Sequence, residues 1–397
     1  MLLSIEPLDT LFFRDGRPFT KEEDSLASSL TWPLPGTIYG ALRTAYWSQH
    51  PALLHQLAEA QKLNTDQDPT RHLQITGLAI SWQNKVYWPL PLDVRLRERR
   101  DDHSKYQEQT EGLYKNLLLP SFQLPSLQPT DSHNHRWTGT SCVDVLPAGR
   151  LTYSEPVEEI ENGFLDKANL EQYLNATTPY AARSISHSCI NEPRTGIGLD
   201  HQMRRAREGM LYRLGMNRYV DIRFLVECHG LWEKENRSVF PLLRLGGEGK
   251  AAICRQEDEE IQNLHIEPPA WPDSDYVNSP AAQALFKLYL ATPAIFQNGW
   301  LPGFIDPTTL QGTYCGINLQ LVAAVVGKPL LISGFDMNHR CPKPLRRAVP
   351  AGSVYYFQLT REQTWSRVIQ NLHGRCISDE RPQEGFGLCF IGRVPAQ

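Results

Sequence analysis

The chain has 397 residues, 41 % of them hydrophobic and 21 % charged, with a formal net charge of −4. That length exceeds what one hydrophobic core usually organises, so two domains are expected, and the composition excludes a largely disordered chain. The small negative balance excludes a protein that coats nucleic acid over its whole surface. It leaves open RNA held in one basic groove, because charges more than about 8 to 10 Å away are screened at ordinary salt.

No run approaches the roughly 18 to 20 uncharged apolar residues of a membrane span. Met1 to Glu6 lacks the basic and apolar regions of a signal peptide, so a cytoplasmic protein without membrane association is expected. Eight cysteines are scattered, the nearest pair being Cys376 and Cys389. With no Cys-x-x-Cys pair or Cys/His cluster they suggest reduced core thiols, no metal site and no cofactor.

In chain order, Ser4 to Phe13 predicts a first strand, followed by the turn Arg14-Asp15-Gly16-Arg17-Pro18. Thr37 is a plausible N-cap for a helix whose apolar face carries Ile38, Leu42, Ala45 and Tyr46, with Arg43 off that face. Leu73 to Leu92 predicts a hairpin around Gln83-Asn84-Lys85. From Asp93 to about Thr138 the chain turns polar and suggests a surface insertion. Tyr212 to Gly230 and Ser238 to Cys254 are further strand regions, and Glu267 to Asp273 is a proline-bearing linker. Beyond it, Ala281 to Phe296, Leu319 to Phe335, Ser353 to Leu359, a helix over Arg361 to Leu372, and Gly387 to Val394 make a second set. The pattern is an α+β chain with two related sheet domains, 1–265 and 266–397.

Between Arg183 and Arg223 stand eight arginines against four acids and no lysine. A planar guanidinium suits phosphate oxygens and base edges; the plain alternative is a solvated, ion-paired face. Glu192 to Asp200 looks like an exposed turn in a long hairpin spanning about 183–223. A second basic group, His339 to Arg347, includes Arg346 and Arg347 and suits a phosphate contact or a soluble loop equally. Glycine turns at Leu245 to Lys250 and Gly385-Phe386-Gly387 allow close backbone approach to a ligand, yet neither is a nucleotide fingerprint and either suits an ordinary turn. Pro35-Gly36-Thr37 opens a helix, where free N–H groups favour a phosphate. No hydrolase, zincin or kinase motif is present. Only a metal-independent ribonuclease using His187, His201 or His339 stays open as an enzyme, beside a small-molecule-binding α+β protein.

Several segments together carry a resemblance. They are Glu6 to Phe19, Pro35 to Thr44, Gly196 to Asp200 with Glu208 to Tyr212, Leu245 to Gly249, Arg346 to Tyr356, and Gly385 to Gly387. They run in order along the chain, which resembles the third Cmr subunit of type III-B CRISPR effectors, in the RAMP superfamily. No motif falls between Asp93 and Ala181.

The resemblance implies two tandem ferredoxin-like (RRM-like) domains with insertions. It implies a non-catalytic subunit that binds the 5′ handle of the guide RNA, docks the large polymerase-like subunit and adjoins the backbone RAMP subunits. A thumb-like hairpin falls on Ile185 to Tyr212. The RNA-contacting residues expected on these grounds are Arg14, Arg17, Gly36, Arg43, Arg194, Ile197, Gly198, Arg204, Arg205, Arg207, Gly247, Gly249, Arg346, Arg347, Gly385, Phe386 and Gly387. Glycine amides and arginines would take phosphates, with Phe386 and Ile197 against unstacked bases. Asp9 and Arg14 have a structural alternative, pairing to pin the turn. The acidic stretches Glu155 to Glu161 and Glu257 to Glu260 are expected away from RNA. A guide-processing endoribonuclease of the wider RAMP group is the rival reading.

Overall fold

A computed structural model describes residues 1–16, 26–60, 62–63, 65–97, 113–123, 142–145, 150–179, 181–200, 205–232, 241–257, 263–271, 285–336, 341–360 and 364–394. The chain is strand-rich α+β. A nine-stranded sheet runs in the order 242–244, 251–256, 2–7, 222–229, 74–82, 85–89, 163–166, 182–184, 113–114. A second sheet runs 311–314, 317–327, 354–359, 285–290, 388–393, 375–376, and Cys142–Val145 pairs with the strand Ile317–Gly327. Every pairing in both sheets is antiparallel.

Each sheet has a side chain period of two, and both of its faces are covered. Leu3, Ile5, Phe224 and Val226 pack with Leu42 and Tyr46 of helix α1 (Pro35–Gln49). The adjacent Leu2 and Leu225 face the opposite way. They join Leu170 and Leu174 of the helix Lys167–Leu174 and Tyr289, Tyr356 and Phe390 of the second sheet in one cluster. The far face of that second sheet, with Phe286, Leu288 and Phe357, is closed by Trp365, Val368 and Leu372 of the helix Trp365–Leu372. The sheets therefore share one core.

Several expectations shift by a few residues. The first strand is Leu2–Pro7, and residues beyond it leave the sheet. Helix α1 starts at Pro35, with Leu34 at the N-cap, so Thr37 does not cap it; proline at the first position needs no acceptor. The helix before the last strand starts at Trp365 because the Thr364 hydroxyl accepts from the Arg367 amide. The hairpin at Gln83-Asn84 stands, both residues having positive φ (49° and 60°). The stretch Glu192 to Asp200 is no turn: Cys189–Asp200 is one arm of a long hairpin, paired with Arg205–Tyr219.

The polar stretch after Asp93 is not wholly a surface insertion. Asp93 is 0 % exposed and accepts from the Tyr173 and Tyr356 hydroxyls at 2.8 and 2.6 Å. In the acidic stretch Glu155 to Glu161, Glu155 and Glu159 pair with Arg97 and Arg95. Glu257 likewise pairs with Arg223, at 3.3 Å. The cysteines divide: Cys228, Cys254 and Cys389 are buried, whereas Cys315 and Cys341 are exposed. No helix among the described residues is long and apolar enough to cross a membrane.

Candidate functional site

The loop after the first strand, residues 8–16, is where the distant motifs meet. Its Leu11 exchanges both backbone hydrogen bonds with Asn217 of the long hairpin, each 2.8 Å. The Phe12 carbonyl accepts from the Gly247 amide at 2.8 Å, so the first glycine turn sits directly on this loop. Phe13 donates its amide to the Ser29 hydroxyl and accepts from the Leu30 amide. The Gly16 amide donates to the Leu331 carbonyl at 2.8 Å, reaching the ribbon in which Leu330–Ile332 pairs with Arg346–Ala348. That ribbon's Ile332 and Ala348 pack with Leu34 and Phe386. One continuous set of contacts thus connects the hairpin, both glycine turns, the start of α1 and the second basic group.

Charge is concentrated where the hairpin leaves loop 8–16. Asp9 accepts from Lys250 at 3.0 Å and from Arg194 at 3.3 Å, and lies 3.5 Å from Arg218. Arg218 is also held by Glu192, which accepts from its Nε and Nη2 along one guanidinium edge. Asp9 therefore pairs with these three cations, while Arg14 is exposed. Lys250 and Arg218 were missing from the predicted site. Only the register Leu11↔Asn217 and the seat of the glycine turn on Phe12 bring them to Asp9. Of the other hairpin residues, Ile197 is 53 % exposed. Gly198, Arg205 and Arg207 lie on its strands. Arg17, Arg204, His201 and His339 lie outside the described residues. Arg183 stacks over the Trp82 ring, 5.5 Å from its centroid.

Five predicted contacts prove to be internal. Phe386 is 0 % exposed inside an apolar cluster, so no base can stack on it without unpacking that cluster. The Gly385 amide donates to Pro382 and its carbonyl accepts from Thr292. The Gly387 amide donates to Pro293. Neither amide is left for a phosphate. The Gly247 amide is committed to Phe12 in the same way. Arg43 donates to Asp68 at 3.0 Å and to Thr70 at 2.8 Å, and the Asp68 side chain is 0 % exposed. It is a structural ion pair, because removing the guanidinium leaves a buried carboxylate without its cation. With Arg43 28 % exposed, Arg43→Ala is expected to cost about 1 to 3 kcal/mol, read as a lower urea midpoint.

The start of α1 is also filled. A Cβ on Gly36 would lie 2.6 Å from the Glu384 carboxylate, which is 8 % exposed. The chain's own anion stands where the sequence suggests a phosphate. Burial pushes the Glu384 carboxyl up, opposed by Lys343, Arg381 and Arg43. In the second basic group, Arg346 pairs with Glu380 at 2.8 Å and Arg347 is exposed. Gly249 has φ +63°, which suits glycine at the tip of its turn. Among the described residues no group of histidine, cysteine or carboxylate side chains is arranged to hold a metal ion.

Residues 3–394 match the model of a family of CRISPR-associated proteins. The chain belongs to that family, Cas_Cmr3, and the resemblance carried by its motifs, to the third Cmr subunit of type III-B effectors, is thereby established. No curated protein sequence matches it. Among solved structures it is similar to a chain of the type III-B Cmr-beta complex bound to cognate target RNA and AMPPnP. That match has 16 % identity and a TM-score of 0.46, covering 90 % of this chain and 86 % of that one. A second Cmr-beta structure, bound to cognate target RNA, matches at 15 % identity with the same TM-score of 0.46 and the same coverage of 90 % and 86 %. A chain of the Csm3-Csm4 subcomplex of the type III-A interference complex matches at 10 % identity and a TM-score of 0.32. It covers 92 % of this chain and 94 % of that one.

Proposed function

We propose that the chain is a non-catalytic subunit of a type III-B CRISPR effector that binds the 5′ handle of the guide RNA. In the same reading it docks the large polymerase-like subunit and adjoins the backbone RAMP subunits. The observation that carries the proposal is the convergence on loop 8–16. The long arginine hairpin, the glycine turn at 245–250 and the second basic ribbon all hydrogen-bond to it. A basic face assembled from distant segments is what holding one RNA end requires, since phosphate contacts fix position while exposed side chains take bases. Arg14, Arg194, Ile197 and Arg347, all exposed, form the proposed RNA face.

Two tandem ferredoxin-like domains, 1–265 and 266–397, fit this reading. In the first sheet the strands 251–256, 2–7, 222–229 and 74–82 lie side by side. Numbered along the chain this is the order 4-1-3-2, with α1 as the first crossover. The strands 388–393, 285–290, 354–359 and 317–327 repeat that order, and the helix Trp365–Leu372 is their second crossover. The ferredoxin-like pattern is such a sheet with two helical crossovers, and each half has one of the two among the described residues.

The full chain is expected to retain handle RNA at low salt and to release it steeply as salt rises. Arg194→Ala should weaken retention roughly threefold, the scale of an exposed charge pair, with the unfolding midpoint unchanged. Equal losses of folding and binding mean a structural arginine. Specific cleavage of repeat RNA by the pure protein, abolished by replacing His187, His201 or His339, defeats the non-catalytic reading in favour of a processing ribonuclease.

A further inference from the structure

The cationic cluster at the base of the hairpin already holds an anion. We propose that Asp9 is a resident counter-anion on Arg194 and Lys250, which an RNA phosphate must displace, and that it thereby restrains sequence-independent RNA binding by this face. The inference rests on the RNA-binding reading above and adds to it a residue that opposes binding.

Geometry makes Asp9 different from its neighbour Glu192. Glu192 is engaged in a two-pronged pair with Arg218, and Arg194 acts on it only through its charge. Asp9 bridges two elements that are far apart in sequence. It meets Lys250 at 3.0 Å beyond the glycine turn and Arg194 at 3.3 Å on the hairpin, and Arg218 lies at its edge. The Asp9 side chain is 43 % exposed, Arg194 is 44 % exposed and Arg218 41 %. The cluster is thus open to a ligand from solvent. Its three cations exceed its two carboxylates by one formal charge. An arriving phosphate is attracted to it weakly, since the cations are nearly neutralised in advance. Asp9 stays ionised throughout the ordinary pH range. The Thr10 amide it accepts from, and then Lys250, hold its carboxyl down to about 2. The restraint is therefore permanent rather than pH-gated.

With Asp9 neutral, Arg194 and Lys250 lose the only carboxylate within ion-pair distance of them among the described residues, whereas Arg218 keeps Glu192. Two cations then become available to phosphates. Because phosphate contacts carry no sequence information, the gain must be the same for any single strand.

The test uses the full chain, the handle RNA and an unrelated single-stranded RNA of equal length, titrated over a range of salt. Asp9→Asn keeps an acceptor for the Thr10 amide. It is expected to raise affinity for both RNAs by a similar factor, about fivefold at low salt, the scale of two exposed charge pairs. The slope of log affinity against log salt should steepen by about 0.7 to 1.4, one or two further phosphate contacts on a single strand. Asp9→Ser guards against a local folding defect and must show the same gain, while Asp9→Glu should show none. Arg194→Ala should cost more in the Asp9→Asn background than in the wild type. A fall in affinity, a gain confined to the handle RNA, or an unchanged slope overturns the proposal while leaving RNA binding intact. If neither wild type nor variant retains RNA at low salt, the RNA-binding reading itself falls.

Discussion

Asp93→Ala is expected to destabilise the fold by about 3 to 5 kcal/mol, the usual consequence of breaking a buried ionic cluster from one side. Asp93 lies between the two sheets and is 0 % exposed. It accepts from the Tyr173 hydroxyl on the helix Lys167–Leu174 and from the Tyr356 hydroxyl on the second sheet. Lys287, 1 % exposed, lies in the same layer with its ammonium 3.3 Å from the centre of the Tyr173 ring. Alanine removes the carboxylate that two phenol hydroxyls donate to and the charge that opposes the lysine. Urea unfolding followed by tryptophan fluorescence measures the loss. A change within about 1 kcal/mol, well below what breaking a buried pair costs, would show that the cluster is incidental to stability.

The same cluster makes a signed pH prediction. Burial pulls the Lys287 ammonium down from 10.5 to about 8, with Asp93 opposing the shift. The folded chain thus releases this proton near pH 8, while the unfolded chain keeps it to about 10.5. The unfolded state binds more protons across that window, so the Lys287 contribution to stability rises with pH there and is least favourable below it. Wild type compared with Lys287→Met should therefore gain relative stability between about pH 8 and 10.5. A flat difference across those pH values contradicts the assignment.

Gly387→Ala is the second large effect, with an expected loss of about 3 kcal/mol or more. The glycine has φ +75°, and a Cβ there would lie 2.5 Å from the Ser378 amide nitrogen. Left-handed backbone costs a non-glycine residue about 1 to 2 kcal/mol before any overlap. The overlap is with backbone, so no side chain can rotate away to relieve it. Moving the loop would strain the Gly387 amide bond to Pro293 and the Ile377 amide bond to the Gly387 carbonyl. RNA retention per folded molecule should be unchanged, because this turn lies within the core. Unchanged stability with retention lost would instead make the turn a contact surface.

Both residues show where reading the chain misled. Asp93 opens a charged, proline-bearing stretch, and its charge outweighed the apolar Leu92 and Val94 that flank it. Its partners Tyr173, Lys287 and Tyr356 are 80 to 263 residues away. Gly385-Phe386-Gly387 looks like a ligand loop, since glycines that let a backbone approach a ligand also let it approach a neighbouring strand. The arginines divided for a similar reason. Arg43 and Arg194 are equally plausible RNA contacts in sequence, yet one faces a buried aspartate and the other an exposed cluster.

Local order was legible. The hairpin at Gln83-Asn84, the apolar face of α1, the arginine-bearing hairpin and the strands of the second sheet follow from side chain periodicity and turn chemistry, which act over a few residues. The ordered motifs carried the family as well. What the tertiary structure alone decided is which glycine amides are spent inside the protein, which cations already hold a carboxylate, and that the far-separated motifs meet on residues 8–16. Those outcomes depend on strand register and sheet packing across hundreds of residues, and burial and pairing are properties of the assembled surfaces rather than of any short segment.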